Sequence, residues 1–296
     1  MSIQPEPLPG DLADAISRAT LGRLGATILF FPTIGSTNDV ASALAAGGDR
    51  EGAIVIAETQ TAGRGRRGRT WFSPPGAGLY VSVVLAPARA RHAADRATAL
   101  LTLAAGVALA EAVERATGLS PVIKWPNDLL IGRRKLAGIL AEGVAVQPHG
   151  PDSASAAVRA RHLWDPASAR FQGPGLQSVV LGYGVNVGPA AYPPDLSDRV
   201  TSLESELGRA VDRAALCAGT LAALAARYDD LLDARFDAIL DAWRARAPGS
   251  HGTRVSWETP SGTHSGTTSG VDEMGALLVR VGDRTERLVA GEIHWE

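Results

Sequence analysis

The alternation of apolar and polar positions predicts a chain that mixes strands and helices. Short runs rich in Val, Ile and Leu, bounded by Gly, Pro or Asn, are typical of strands. Such runs occur at 52–60, 79–87, 122–132, 134–146 and 176–188. We therefore expect a sheet built from segments that are spread over most of the first two thirds of the chain.

Longer segments with a helical period lie between these runs. Residues 11–24, 93–117 and 209–246 carry such a pattern, and a helix is also expected directly after Gly35. Ser36 or Thr37 is in the position to cap the helix after Gly35, because a hydroxyl oxygen can accept a hydrogen bond from a free backbone N–H.

The pattern changes at Pro248 and Gly249, where short strands separated by glycine turns follow. We expect two domains, 1–248 and 249–296, the second a small β-barrel. Residues 147–176 are rich in Pro, Ala, Ser, Gly and Arg without a clear period, which predicts a surface insertion. The fold class expected is α+β, a mixed β-sheet flanked by helices with a small C-terminal barrel.

Composition narrows the classes of function. The chain has 29 basic and 31 acidic residues, a net charge of −2, so no global field attracts nucleic acid or an anionic membrane. The N-terminus has neither a basic nor an apolar signal region, and the apolar stretch 97–110 is too short to span a membrane. We expect a cytoplasmic protein with Cys217 as a small core residue.

The loop between the predicted strands at 52–60 and 79–87 carries a concentration of cations. GRGRRGR at 63–69 places four arginines among glycines, and Trp71 follows. Glycine lets a backbone approach a ligand closely, and arginine binds phosphate and carboxylate in a planar fork. The loop is either a solvated turn or a phosphate site, and we favour the phosphate site. It matches neither a P-loop nor a dinucleotide fingerprint.

Lysine is nearly absent, since 27 of the basic residues are arginine and the two lysines are Lys124 and Lys135. They bracket the segment WPND, in which Asn127 and Asp128 present an amide and a carboxylate. A carboxylate of this kind can hold Mg²⁺ together with substrate phosphates, although a simple turn explains the Asn-Asp pair equally well. The two lysines indicate positions where a compact point charge is needed.

Taken together, these motifs resemble the biotin protein ligase family, in the type without an N-terminal DNA-binding domain. The resemblance rests on the order and spacing of five segments, STN at 36–38, AETQTAGRGRRGRTW at 57–71, KWPNDLLI at 124–131, KLAGILAE at 135–142 and LGYGVNVG at 181–188. It implies a class II synthetase-like core with an SH3-like C-terminal barrel, and ATP and biotin as substrates with Mg²⁺.

The resemblance also implies site residues. Biotin's ureido ring needs donors and acceptors, and its pocket needs glycines that admit it closely. The family implies a biotin pocket made by Ser36, Thr37, Asn38, Gln60, Gly63, Arg64, Lys135, Gly138 and Gly182. It implies an ATP and adenylate site made by Arg64, Arg66, Arg67, Arg69, Trp71, Lys124, Asn127 and Asn186, with Asp128 as the magnesium ligand.

In the reaction that the resemblance implies, biotin's carboxylate attacks the α-phosphate of ATP, and two anions must be brought together. We expect Lys135 and Arg66 to act by positioning and electrostatic stabilisation, and the arginine loop to close over the adenylate. A lysine of a biotin carboxyl carrier protein or acyl-CoA carboxylase carrier domain then takes the biotin. No base for that amine is evident.

Two alternatives remain open on the sequence. A lipoate or octanoate ligase shares the related fold, and a biotin or nucleotide sensor would bind without turnover. The 35 residues before Ser36 are too few for a helix-turn-helix domain, so we expect no DNA binding. Nothing in the pattern marks an oligomer interface.

Overall fold

The computed structural model describes residues 4–145, 164–165, 170–171, 176–194 and 196–296. Most of the expected insertion at 147–176 lies outside these residues. The helices are α1 Gly10–Ser17, α2 Thr37–Ala46, α3 Ala94–Thr117, α4 Leu203–Leu207, α5 Arg213–Leu232 and α6 Phe236–Arg246. The strands are β1 Ile28–Phe31, β2 Ile54–Ala57, β3 Gly78–Leu85, β4 Val122–Lys124, β5 Asp128–Ile131, β6 Arg134–Ala145, β7 Trp164–Asp165, β8 Arg170–Phe171, β9 Leu176–Asn186, β10 His251–Thr259, β11 Gly262–Val271, β12 Leu277–Val281, β13 Arg284–Leu288 and β14 Ile293–Trp295.

Seven strands form the main sheet in the order β1-β2-β3-β9-β6-β5-β4. The β1–β2 pair is parallel and the other pairs are antiparallel, so the sheet is mixed. Strands β3, β9 and β6 at its centre are long, and β7 and β8 pair separately.

The two faces of the central strands differ in character because side chains alternate along a strand. On β9, Val179, Leu181, Tyr183 and Val185 are buried in the main hydrophobic core, which α1, α3, α5 and α6 cover. On the opposite face, Val180 packs in a smaller core with α2. The rest of that face, further along β9, is left for a cavity.

The C-terminal strands β10 to β14 form a second, antiparallel sheet in the order β13-β12-β11-β10-β14. Its turn at Gly275 contacts the main body, since the indole N–H of Trp125 donates to the Gly275 carbonyl at 3.0 Å. The Trp125–Pro126 peptide is cis. The prediction of a mixed sheet flanked by helices, with a small C-terminal β unit, is confirmed.

Several local expectations need correction. The first helix ends at Ser17 instead of continuing to residue 24, and the left-handed backbone at Gly22 is incompatible with a helix through that position. Segment 122–132 is a hairpin of two strands and not one strand, since the WPND turn separates them. The helical segment 209–246 is two helices, divided where Ala234 has a left-handed backbone.

Helix α3 is long and apolar enough to cross a membrane by length and composition, but 72% of its apolar window is buried inside the fold. It packs between the sheet and α5, and its alanines allow close approach of both. The expectation of a buried core helix is confirmed.

Candidate functional site

A cavity of about 1070 Å³ opens on the even-numbered face of β9. The main sheet forms its floor, the arginine loop covers one side, and residues 291–295, which include β14, form another wall. All the predicted site residues except Gly63 line it: Ser36, Thr37, Asn38, Gln60, Arg64, Arg66, Arg67, Arg69, Trp71, Lys124, Asn127, Asp128, Lys135, Gly138, Gly182 and Asn186.

One end of the cavity is a network of neutral polar groups at the N-terminus of α2. The Thr37 backbone N–H donates to Gln60 Oε1 at 2.9 Å, and the Ser82 hydroxyl lies 2.8 Å from Thr37 Oγ1 and 2.6 Å from Asn38 Oδ1. Gln60, rather than a serine or threonine hydroxyl, therefore satisfies the helix terminus. Ser36 occupies the cap position but its side chain makes no capping bond, which corrects the expectation of a hydroxyl cap.

The glycines of the site accommodate the protein's own side chains. A Cβ on Gly182 would overlap the Asn38 amide, and one on Gly63 would lie 2.5 Å from the Trp71 carbonyl oxygen. Gly138 and Gly184 face each other on β6 and β9, and the Trp71 indole lies over both of them. Close packing by Asn38 and Trp71 thus explains glycines that the sequence analysis assigned to the ligand.

A β-bulge brings Lys135 to the cavity. Along an undisturbed strand, Lys135 and Gly138 would face opposite sides, but Leu130 pairs with Lys135 while Leu129 pairs with Ala137. The extra residue on β6 shifts the alternation, as bulges do, so both residues line the cavity.

The opposite end of the cavity is cationic. Burial lowers the pKa of the Arg66 guanidinium, although the nearby Asp128 opposes that shift. Within the described part of the chain Arg66 forms no ion pair, and its Nη1 donates to Asn127 Oδ1 at 2.9 Å. Burial also lowers the pKa of Lys124, again opposed by Asp128. A partly buried cation held by a neutral amide is suited to an incoming anion.

Two other arginines of the loop have carboxylate partners. Arg64 donates to Glu142 through both terminal nitrogens at 3.1 and 2.7 Å and lies 3.2 Å from Asp39. Arg69 donates to both carboxylate oxygens of Glu292, which directly precedes β14. Arg67 is exposed with a left-handed backbone, φ 58°.

Asp128 is the residue at the site best suited to a metal. Its Oδ1 is buried and accepts no hydrogen bond of normal geometry from the residues that the structure describes, while the Lys135 ammonium lies 2.7 Å away. No group of three or more His, Cys, Asp and Glu side chains able to hold a metal occurs among the described residues. The arrangement fits a Mg²⁺ that is carried mainly by phosphates and held by one carboxylate.

Comparison with known proteins identifies the family. The model of the biotin/lipoate A/B protein ligase family matches residues 30–149. The bifunctional ligase/repressor BirA of Bacillus subtilis is 32% identical over 96% of this chain and 79% of its own length. The biotin–[acetyl-CoA-carboxylase] ligases of Mycobacterium tuberculosis and Paracoccus denitrificans are 34% and 35% identical, over 88% and 83% of this chain and 85% and 90% of their own lengths. The chain belongs to the biotin protein ligase family.

Solved structures of this family share the fold. Biotin protein ligase from Aquifex aeolicus in complex with biotin and ATP has a TM-score of 0.70 and 22% identity, covering 92% of this chain and 99% of its own. The Leishmania major enzyme in complex with biotinyl-5-AMP has a TM-score of 0.55 and 21% identity, covering 90% and 100%.

The structure adds residues to the site that sequence analysis missed. Ser82, Ser73 and Glu142 support the polar end, Gly184 completes the floor, and residues 291–295 come from the far end of the chain. Glu142 carried a signal, because it is a lone carboxylate within the apolar strand LAGILAEGVA. The contribution of residues 291–295 depends on how the two sheets pack, for which no local pattern exists.

Asn127 and Asn186, expected near adenine, are anchored to the protein. The Asn127 Nδ2 donates to the Ile139 carbonyl at 2.8 Å, and the buried Asn186 amide donates to the Thr201 carbonyl at 3.0 Å. Asn186 thereby holds the segment that pairs with Lys135, since Lys135 N–H donates to the Arg199 carbonyl at 2.8 Å. Both asparagines line the cavity while supporting Arg66 and Lys135.

Proposed function

We propose that this protein is an ATP-dependent biotin protein ligase, which forms biotinoyl-5′-AMP and transfers biotin to a lysine of a carrier protein. Membership of the family supports this function. The structural observation that carries it is one cavity joining a neutral polar end to a cationic end, where Arg66 is partly buried without a carboxylate partner among the described residues.

In the first half-reaction, the ureido ring of biotin occupies the polar end, near Ser36 and Gln60. The biotin carboxylate then points toward Lys135, and the phosphates of ATP lie near Arg66 and Lys124. A carboxylate oxygen attacks the α-phosphorus, and pyrophosphate leaves with the electrons of the broken P–O bond. Lys135 and Arg66 offset the repulsion between the anions and the charge that grows on the α-phosphate.

The remaining assigned groups shape the cationic end. Arg67 and Arg69 border the phosphates, Asn127 and Asn186 contribute near the adenine, and Trp71 forms the wall between the two ends of the cavity. Mg²⁺, held by Asp128 and the phosphates, would neutralise part of the triphosphate charge.

In the second half-reaction, the amine of a carrier lysine attacks the acyl carbonyl, AMP leaves, and the amine loses a proton. The expected acceptor is a biotin carboxyl carrier protein or an acyl-CoA carboxylase carrier domain, which makes the enzyme a biotin–[biotin carboxyl carrier protein] ligase of the AMP-forming type. We place it in the cytoplasm. We propose that residues 1–248 form the catalytic domain, and residues 249–296 a small domain that closes one wall.

ATP–pyrophosphate exchange with the purified protein and Mg²⁺ tests the chemistry, because it reports adenylate formation without a carrier. Exchange that depends on biotin, but not on lipoate or octanoate, is the expected result. Exchange with lipoate or octanoate instead would move the protein to the other branch of the family. Biotin binding without exchange would identify a sensor.

A further inference from the structure

Glu142 lies behind the polar end of the cavity. It is on β6, on the face that Gly138 and Leu140 present to the cavity, and its side chain is 21% exposed. The surrounding strand is apolar, so a carboxylate here needs partners that compensate its loss of water.

Those partners come from the two segments that form the polar end. Glu142 Oε2 accepts from Asn38 Nδ2 at 2.7 Å, and both carboxylate oxygens accept from Arg64 at 3.1 and 2.7 Å. One carboxylate therefore joins the first turn of α2 to the arginine loop.

The bond from Asn38 settles the orientation of its amide. Its Nδ2 faces the Glu142 carboxylate, and its Oδ1 lies 2.6 Å from the Ser82 hydroxyl. Rotating the amide by 180° would place its oxygen against the carboxylate, where both groups only accept. The amide also packs directly against Gly182, since a Cβ there would overlap it.

The bond from Arg64 has an electrostatic consequence. Its guanidinium is held in a two-bond pair, so its charge is compensated by Glu142 and Asp39 at the cavity wall. The polar end thus has no uncompensated cation from Arg64, whereas the end with Arg66 and Lys124 stays cationic.

We propose that Glu142 is a positioning residue for biotin, which fixes Asn38 and holds Arg64 so that the polar end is preformed for an uncharged ring. This inference rests on the proposed function, and it concerns binding rather than adenylation. Glu142 itself does not line the cavity. Its effect is therefore expected in the affinity for biotin, measured in the absence of ATP.

Calorimetric titration with biotin in the absence of ATP tests the proposal. Glu142→Gln keeps the shape but loses the charge and one acceptor, and we expect the Kd for biotin to rise about tenfold or more. The matched control is Glu111→Gln, because Glu111 is also held by two bonds from an arginine, Arg227, at 16% exposure and away from the cavity. That variant should bind biotin within about twofold of the unaltered protein.

A double-mutant cycle separates positioning from direct contact. If Glu142 acts by holding Arg64, the loss of affinity in Arg64→Gln/Glu142→Gln should be clearly smaller than the sum of the single losses. Additive losses would overturn the proposal, as would a Kd within twofold of the unaltered protein for Glu142→Gln. Should Glu142→Gln fail to fold, Glu142→Asp provides the same measurement, since the shorter chain cannot reach both partners.

The titration also separates this inference from the proposed ligase chemistry. Binding of biotin without pyrophosphate exchange would contradict the chemistry, and the role of Glu142 would still be decided by the variants. Absence of biotin binding in the unaltered protein would overturn both.

Discussion

The ammonium of Lys135 lies 2.7 Å from Asp128 Oδ1, and 5.4 Å from the centre of the Trp71 ring. The same amine is therefore held between a carboxylate and an aromatic face. An anionic substrate that reaches Lys135 must compete with Asp128 for it. Because the pair has side-chain exposures of 31% and 24%, water screens it only in part.

Replacing Lys135 with arginine should impair adenylation severely. A guanidinium is larger and planar, and cannot occupy the compact position between Asp128 and Trp71. We expect the rate of biotin-dependent pyrophosphate exchange to fall about 10²- to 10³-fold. The control is Arg280→Lys, which interchanges the same two residue types at an exposed position of β12 outside the cavity. Exchange near the unaltered rate in Lys135→Arg would contradict the role of Lys135.

Replacing Arg66 with glutamine should weaken the use of ATP without lowering the stability of the protein. Its desolvated charge costs stability in the free protein, as its lowered pKa indicates, but attracts phosphate. We expect KM for ATP to rise about tenfold or more, while the melting temperature stays level or rises. Scanning calorimetry measures the melting temperature, and pyrophosphate exchange at varied ATP concentrations measures the KM for ATP. A normal KM for ATP would remove Arg66 from the phosphate site.

Two glycine-to-alanine changes, one on the cavity floor and one inside α5, are expected to have opposite effects on stability. A Cβ on Gly184 would overlap the Trp71 indole, so Gly184→Ala should lower stability by about 1–3 kcal/mol and alter tryptophan fluorescence. Gly219, inside α5, has nothing within 4 Å of a built Cβ. Gly219→Ala should therefore raise stability by about 0.5–1 kcal/mol. Chemical denaturation measures both, and equal effects would contradict the packing of Trp71.

The Arg69–Glu292 pair predicts a dependence of stability on pH. Burial opposes ionisation of Glu292, but its bonds from Arg69 outweigh burial and lower its pKa from 4.5. Its contribution is thus present above pH 4.5 and is lost as pH falls through the lower folded value. We expect Glu292→Gln to cost up to about 1 kcal/mol at pH 7, since Arg69 is largely exposed, and less as the pH falls below 4.5.

The control for that experiment is Glu286→Gln on β13. Glu286 forms no ion pair in the part of the chain that the structure describes, so its replacement should have little effect at pH 7 or at pH 3. A Glu292→Gln deficit that is equal at pH 7 and pH 3 would show that the ion pair does not cause it.

Cys217 should resist thiol reagents in the folded protein. Burial raises the pKa of its thiol to about 12, and the side chain is fully buried in α5. A thiol rather than the reactive thiolate therefore prevails at pH 8. Labelling with a chromogenic disulfide should be negligible in buffer and complete in denaturant. Rapid labelling without denaturant would contradict the packing of α5.

Much of the fold followed from local pattern, because period-2 alternation and glycine boundaries fix strands such as β9. The motifs also identified most of the cavity wall, since Ser36, Arg66 and Lys135 are brought together as expected. The resemblance to a family supplied their roles, which the residue types alone left open.

The features of the site that the sequence did not predict depend on long-range packing. The bulge that brings Lys135 to the cavity arises from pairing between β5 and β6, which no single segment encodes. The assignment of Arg64 to Glu142, and of Arg69 to Glu292, depends on contacts across 78 and 223 positions. Three of the four arginines in one loop, Arg64, Arg66 and Arg69, therefore acquire different partners only after folding.

The pairing of β6 with β9 has a consequence for engineering. Lys135 is at one end of β6, and Ala145 is its last residue, ten residues and about 33 Å further along an extended strand. A change in the length of the connection after Ala145 therefore takes place far from Lys135 and the groups that react beside it. A peptide tag or reporter inserted there should leave Lys135 undisturbed. In a fusion enzyme its effect should appear in the affinity for biotin, because Glu142 lies three residues before Ala145 on the same strand.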